Sequence, residues 1–196
     1  RCPQFRADGV VQPGATVQLG LRDWQVHAAP GHDPHSVVLF EPQRRLLISA
    51  DALWERGFGV VFPELEGEQA FAEVEATLDV IEQLQPEWVL PGHGGMFSDV
   101  AGALAVARKR LADFQADPQR HAQYAAKVLL KYKLLEWQQA SCQQVQDWCA
   151  STPLMQQMRQ RYFADQDPAA WVLALLQALA AARAVVWEGD QVRNVD

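Results

Sequence analysis

The sequence is poor in the features that mark secreted, membrane-bound or nucleic-acid-binding proteins. Its three cysteines, Cys2, Cys142 and Cys149, form no CxxC pair, and their odd number argues against a disulfide framework. No apolar run approaches the roughly 18 residues of a membrane span, and no signal-peptide pattern opens the chain. The net charge of −7 favours no basic face for nucleic acid. We therefore expect a cytoplasmic protein that does not enter a membrane.

The sequence also lacks an initiator methionine. It opens on Arg1-Cys2-Pro3-Gln4-Phe5, so we expect the native protein to extend upstream of Arg1 or to have been cut there. The 196 residues, of which 49% are hydrophobic, can bury the core of one domain or of two small ones.

Short β-like runs alternate with turns in the first half of the chain. Strands are predicted over residues 17–19, 24–28, 36–40, 45–49 and 88–90. The third and fourth runs flank a four-residue turn, Glu41-Pro42-Gln43-Arg44, which predicts an antiparallel hairpin. One apolar stripe with helical period predicts a helix over residues 67–85, ending before Pro86.

Helical patterns dominate the second half. Helices are predicted over residues 100–115, 120–138, 142–150 and 154–163, and again after Asp167. Thr152-Pro153 and Asp167-Pro168 have the residue types favoured at the N-cap and the first helical position. A hairpin over residues 184–193 closes the chain, which suggests a winged-helix-like appendage. The predicted domains are residues 1–96 and 97–196.

Three candidate metal ligands each follow a predicted strand. His32 lies in Pro30-Gly31-His32-Asp33-Pro34, Asp51 ends Ser49-Ala50-Asp51, and His93 lies in Pro91-Gly92-His93-Gly94. Strand ends are rigid platforms that hold side chains within the tolerance that metal coordination needs. Imidazole nitrogens and a carboxylate suit zinc, iron or manganese, and one carboxylate can bridge two ions.

The order and spacing of these motifs resemble the later motifs of the metallo-β-lactamase superfamily, over roughly residues 8–96. The resemblance implies an α/β fold (α+β) in which residues 1–96 form the C-terminal half of an αβ/βα sandwich. It also implies two divalent metal ions, zinc first, with iron or manganese as alternatives. His32 would complete one metal site and His93 the other, while Asp51 would bridge both and is the expected catalytic residue.

The family's early His-x-His-x-Asp-His motif is absent from this sequence. We therefore expect a metal-dependent hydrolase in the full-length protein, using metal-activated hydroxide on an ester, thioester, amide or phosphodiester. For this chain alone we expect an incomplete or absent metal centre and little activity. Exposed apolar surface from a missing half would favour a homodimer.

Several residues near the ligands depart from the common family pattern or rim the site. Asp33 and His35 add polar groups that could orient the ligand histidines, although Asp33 could equally cap the loop through its own backbone. Ala50 replaces a frequent glycine. In the loop over residues 54–64, Trp54 and Phe58 are the candidate residues of a substrate pocket, with core packing as the alternative.

Two further functions stay open from the sequence. Relatives of the same fold use iron, so an iron-dependent oxidoreductase of sulfur substrates is one alternative. A non-enzymatic oligomerisation or nucleic-acid-binding module is the other, although the near-neutral tail makes nucleic acid the weaker partner. We interpret Arg108-Lys109-Arg110 as a solvated helix face and expect a small-molecule substrate.

Overall fold

The chain divides into two compact units between Ala112 and Asp113. The structure is a computed structural model and describes residues 6, 7 and 9–195. The sequence-based boundary between residues 96 and 97 precedes a helix that belongs mostly to the first unit. Cys2, one of the three cysteines considered above, lies outside the described residues.

Five strands form one sheet in the first unit, in the order β1-β2-β3-β4-β5. They are β1 (Thr16–Leu19), β2 (Arg22–Ala28), β3 (Val37–Glu41), β4 (Leu46–Ala50) and β5 (Trp88–Pro91). The first four pair antiparallel in chain order, whereas β4 and β5 pair parallel. All five strands predicted from the sequence are confirmed, with small changes at their ends.

Alternating burial explains why these segments form strands. Trp24 and Val26 of β2 and Val38 and Phe40 of β3 are buried, and the residues between them along each strand are more exposed. The predicted hairpin turn is closed by the buried Glu41, whose carboxylate accepts a hydrogen bond from the Arg44 N–H at 2.8 Å.

The predicted helix over residues 67–85 is wrong at its start. The structure has a short helix α1 (Phe62–Glu66) that ends at Gly67, followed by α2 (Phe71–Leu84). Gly67 has a φ of 102°, which terminates α1 in a left-handed conformation. The Glu64 carboxylate then accepts hydrogen bonds from the N–H groups of Ala70 and Phe71, so a side chain distant in sequence caps α2.

The basic cluster Arg108-Lys109-Arg110 forms ion pairs with a neighbouring helix. It lies on α3 (Val100–Ala116), where Arg108 pairs with Asp79 at 2.7 Å and Glu82 at 2.8 Å. The hydrogen bond to Asp79 is the main reason that the pKa of Arg108 is raised. These exposed ion pairs link Arg108 of α3 to α2, and the interpretation of the cluster as a solvated helix face stays a prediction.

The second unit combines helices with a three-stranded antiparallel sheet of order β6-β8-β7. Its elements are α4 (Pro118–Trp137), β6 (Gln139–Ser141), α5 (Cys142–Ser151), α6 (Pro153–Tyr162), α7 (Pro168–Ala181), β7 (Val185–Glu188) and β8 (Gln191–Asn194). The terminal hairpin is confirmed, but β6 was missed because three residues are too few to show a period. The winged-helix interpretation stays a prediction.

The two expected helix caps behave differently. The Asp167 carboxylate accepts from the Ala170 N–H at 2.9 Å and caps α7 as predicted. Thr152 occupies the N-cap position of α6 with Pro153 after it, as predicted, but makes no capping bond. Its hydroxyl donates instead to the Trp148 carbonyl at 2.8 Å and closes α5. In the part of the chain that is described, no helix is both long and apolar enough to cross a membrane.

The pH dependence of stability is predicted from His121, which is 1% exposed on α4 and packs at 5.0 Å from the Phe114 ring. Burial lowers its pKa from 6.5 to about 4. Since the folded-state pKa is the lower one, the unfolded chain binds more protons between these values, and stability falls as pH falls through this window. We expect a loss of roughly 3 kcal/mol between pH 7 and pH 4.

Urea unfolding at a series of pH values measures this effect. His121→Leu should flatten the dependence between pH 6.5 and 4, whereas His35→Asn, which changes an exposed histidine, should leave it unchanged. An equal change of the free energy of unfolding with pH in wild type and His121→Leu would contradict the assignment of this pH dependence to His121.

Candidate metal site

Strand direction brings the three predicted ligands to one edge of the sheet. Because β2, β3 and β4 are successive antiparallel neighbours, β2 and β4 run the same way, and β5 is parallel to β4. The carboxyl ends of all three strands therefore lie at the same edge. His32 follows β2, Asp51 directly follows β4, and His93 follows β5.

The Asp51 carboxylate lies between the two imidazoles. Its Oδ2 is 3.5 Å from His32 Nε2, and its Oδ1 is 3.6 Å from His93 Nε2. The side chains of His32 and Asp51 are 27% and 28% exposed, whereas that of His93 is 53% exposed. The cluster is thus open to solvent on the His93 side.

A backbone carbonyl orients the His32 ring. His32 Nδ1 lies 2.6 Å from the Val60 carbonyl oxygen, so Nδ1 carries the proton and donates it. In the neutral ring Nε2 then presents a lone pair toward Asp51, which is the tautomer that metal-ligating histidines adopt. Sequence reasoning missed Val60, because a carbonyl acceptor is available at every residue and has no signature of its own.

Trp54 contacts two members of the cluster, Asp51 and His93. Its indole Nε1–H donates to Asp51 Oδ1 at 3.0 Å, and its ring lies edge-on to the His93 ring at a centroid distance of 5.1 Å. One side chain therefore orients the carboxylate and packs against the exposed imidazole. The structure places Trp54 at the cluster, and its contact with a substrate stays a prediction.

Phe58 is in the core and is only 2% exposed. With His32 and Asp51 it lines a cavity of about 10 Å³, enough for about one water molecule. This burial favours the packing alternative for Phe58, whose role in a substrate pocket stays a prediction.

The turn that carries Asp51 has an unusual backbone. The pairing of β4 with β5 shifts register between Ile48 and Ala50, and Ala50 has a positive φ of 46°. The buried Ser49 hydroxyl donates to the Leu53 carbonyl at 2.6 Å and closes the turn. A left-handed backbone angle explains physically why glycine is common in the family at the position of Ala50.

Two glycines allow the backbone to approach the cluster closely. A Cβ on Gly59 would lie 2.7 Å from His32 Nδ1, and a Cβ on Gly92 would lie 2.7 Å from Asp51 Oδ1. The Gly92 N–H also donates to the Ala50 carbonyl at 2.7 Å. These glycines were not identified from the sequence as site residues, since their role depends on which side chains face them.

Asp33 and His35 are exposed on the loop after His32. The Asp33 carboxylate accepts from the His35 N–H at 2.8 Å, which is the loop-capping alternative considered from the sequence. A role of either residue in orienting a ligand histidine stays a prediction.

The separations within the cluster fit a metal ion between Asp51 and each of the two histidines. Two donors on one tetrahedral zinc ion, each about 2.1 Å from it, lie about 3.4 Å apart. The observed 3.5 and 3.6 Å are close to this value and too long for direct hydrogen bonds.

The three side chains do not surround one common point, since each imidazole faces a different carboxylate oxygen. Accordingly, among residues 6, 7 and 9–195, no group of three or more His, Cys, Asp or Glu side chains is arranged to hold a metal ion by itself.

A larger cavity, of about 480 Å³, lies in the second unit and involves none of these residues. Its walls come from α5, α6 and the start of α7, and include Asp147, Arg159 and Trp171. Size therefore does not identify the candidate site in this protein, whereas the chemistry of the side chains does.

The fold and the cluster define a mixed α/β domain with a His-Asp-His set at the carboxyl edge of its sheet. Residues 3–93 match the family model of the metallo-β-lactamase superfamily. This part of the chain therefore matches the metallo-β-lactamase superfamily, as the sequence motifs predicted.

Among curated proteins, the chain is similar to acyl-coenzyme A thioesterase MBLAC2. It is 26% identical to the Gallus gallus protein over 95 residues, which are 48% of this chain and 34% of that protein. It is 28% identical to the Homo sapiens protein over 102 residues, which are 50% and 37% of the two chains. The chain thus spans about a third of the length of these relatives.

Among solved structures, the chain is similar to a β-lactamase domain protein from Burkholderia ambifaria. The two share 23% identity at a TM-score of 0.47, over 99% of this chain and 53% of that one.

Gly92 and Gly95 provide a matched pair that tests the close approach to Asp51. A Cβ at position 92 would also lie 3.1 Å from the Ala50 backbone, whereas one at position 95 would meet nothing within 4 Å. We expect Gly92→Ala to lower the free energy of unfolding by roughly 1–3 kcal/mol through overpacking. Gly95→Ala should leave it unchanged or raise it slightly. Equal effects in urea unfolding would contradict the crowding at Gly92.

Ala50→Gly should relieve backbone strain. A left-handed conformation costs an L-residue roughly 1–2 kcal/mol, and the greater freedom of glycine in the unfolded chain offsets about half of this. We expect the free energy of unfolding to stay unchanged or rise by up to about 1 kcal/mol. Ala52→Gly, where φ is not positive, should lower it instead. If Ala50→Gly lowered the free energy of unfolding more than Ala52→Gly, backbone strain at Ala50 would be refuted.

Proposed function

We propose that the whole protein containing these residues is a metal-dependent hydrolase and that His32, Asp51 and His93 are among its metal ligands. The observation that carries the proposal is the position of the Asp51 carboxylate, with each oxygen 3.5–3.6 Å from a different imidazole Nε2. A carboxylate in that position can bridge two ions, with His32 on one and His93 on the other. Zinc is the first expectation, with iron or manganese as alternatives.

The protein's own groups prepare the ligands before any ion binds. The Val60 carbonyl holds the Nδ1 proton of His32, so Nε2 is free to donate its lone pair. The Trp54 indole holds Asp51 Oδ1 and limits rotation of the carboxylate. Bound divalent ions would supply an activated water nucleophile and polarisation of the scissile carbonyl or phosphoryl group.

Open access on the His93 side favours attack on a substrate that approaches past Trp54. The ring of Trp54 would form one apolar wall beside the exposed imidazole. A thioester is the first substrate to test, since the similar Gallus gallus and Homo sapiens proteins are named acyl-coenzyme A thioesterases. Esters, amides and phosphodiesters complete the substrate panel.

Metal affinity tests the ligand assignment in this chain. Catalytic zinc usually has three protein ligands, and this set offers two per ion, so we expect weak zinc binding by the 196 residues alone. Asp51→Asn should weaken zinc binding by at least about tenfold because one residue serves both ions. His35→Asn, at an exposed histidine outside the cluster, is the control and should leave the affinity unchanged.

Isothermal titration with zinc, iron(II) and manganese(II) gives these affinities. Unchanged zinc affinity in Asp51→Asn would exclude the proposed bridge. In the whole protein, Asp51→Asn should abolish hydrolysis of an acyl-coenzyme A thioester. Oxidation of a sulfur substrate by the iron form, with no hydrolysis across the panel, would overturn the hydrolase proposal.

A further inference from the structure

The loop between Asp51 and Val60 is closed on itself at two places. The Gly59 N–H donates to the Asp51 carbonyl at 2.9 Å, and the Trp54 N–H donates to the Gly57 carbonyl at 2.6 Å. This loop therefore connects one predicted ligand, Asp51, to the carbonyl that orients another, at Val60. A side chain that fixes this loop therefore also fixes the position of the Val60 carbonyl relative to Asp51.

Arg110 of α3 reaches this loop from outside it. Its Nη1 donates to the Phe58 carbonyl at 3.3 Å, two residues before Val60. Its guanidinium also occupies the space beside Gly57: a Cβ there would lie 2.4 Å from Arg110 Cζ. Gly57 has a φ of 120°, which favours glycine, and a side chain there would displace the Arg110 guanidinium.

We infer that Arg110 is a positioning residue that anchors the loop over residues 57–60, so that the Val60 carbonyl stays bonded to His32 Nδ1. The bond selects the tautomer with a free Nε2 lone pair facing Asp51. Arg110 thereby acts on the cluster through the backbone. The consequence for metal binding rests on the proposed function, whereas the effect on the His32 tautomer does not.

The chemistry of arginine suits this position. Its guanidinium carries several N–H donors in a fixed planar arrangement, so it can fill the space beside Gly57 while it donates to a carbonyl. Methionine is also long but donates no hydrogen bond, and glutamine is too short to reach equally far. Lysine retains N–H donors, but on a flexible chain without the planar guanidinium.

Arg108 provides a matched control on the same helix. It pairs with Asp79 and Glu82 and so links α3 to α2, whereas Arg110 links α3 to the loop. If Arg110 acted only by stabilising α3, neutralising either arginine would have similar consequences at His32.

The test is nitrogen-15 NMR of the histidine rings in the metal-free 196-residue chain, at a pH where the imidazoles are neutral. His32→Asn assigns the His32 signals. In wild type and Arg108→Met, we expect the Nδ1–H tautomer of His32 with slow proton exchange. In Arg110→Met and Arg110→Gln, we expect a mixture of tautomers and exchange of the Nδ1 proton faster by about tenfold. Arg110→Lys should restore part of the protection.

An unchanged His32 tautomer and exchange rate in Arg110→Met would overturn the inference, as would an equal change in Arg108→Met. If Arg110→Met fails to fold by circular dichroism, the comparison of Arg110→Gln with Arg108→Met decides in the same way.

Cobalt(II) titration of the same variants separates this result from the proposed function. Absence of cobalt binding in every variant would count against the metal site and leave the tautomer result standing. Wild-type binding with at least about tenfold weaker binding in Arg110→Gln is the outcome expected if both are right.

Discussion

The candidate site depends on one constraint, the common direction of β2, β4 and β5. Antiparallel neighbours alternate in direction, so the meander returns β4 to the direction of β2, and the parallel pairing adds β5. Residues far apart in sequence therefore reach one sheet edge without a specific contact to draw them together. A reversed β5 would place His93 at the opposite edge of the sheet from Asp51.

The backbone near this edge departs from regular strand pairing, and these departures bring it close to the Asp51 side chain. The register shift before Ala50, its positive φ and the close packing of Gly92 against Asp51 together place a carboxylate between two rings. Such local departures from regular geometry cluster at functional sites because regular strands would direct these side chains to alternate faces. The surrounding hydrogen bonds, from Ser49 to Leu53 and from Trp54 to Asp51, stabilise the irregular turn.

Sequence reasoning was strongest where one pattern repeats over several turns or strands. The alternation in β2 and β3 and the apolar stripe of α2 predicted those elements, because burial on one face leaves a period in the sequence. It was weakest for short elements. Helix α1 and strand β6 have too few residues to show a period, and the capping of α2 by Glu64 depends on a loop conformation.

By itself the sequence predicted the family resemblance, most of the elements and the candidate ligands His32, Asp51 and His93, because those motifs are local and ordered along the chain. Only the tertiary structure decided which atoms meet. In the structure each imidazole lies near a different Asp51 oxygen, and His32 donates to the Val60 carbonyl. Arg110 donates to the Phe58 carbonyl in the loop between Asp51 and Val60. The physical reason is that hydrogen-bond partners are set by backbone directions and by what packs behind them, and neither leaves a period in the sequence.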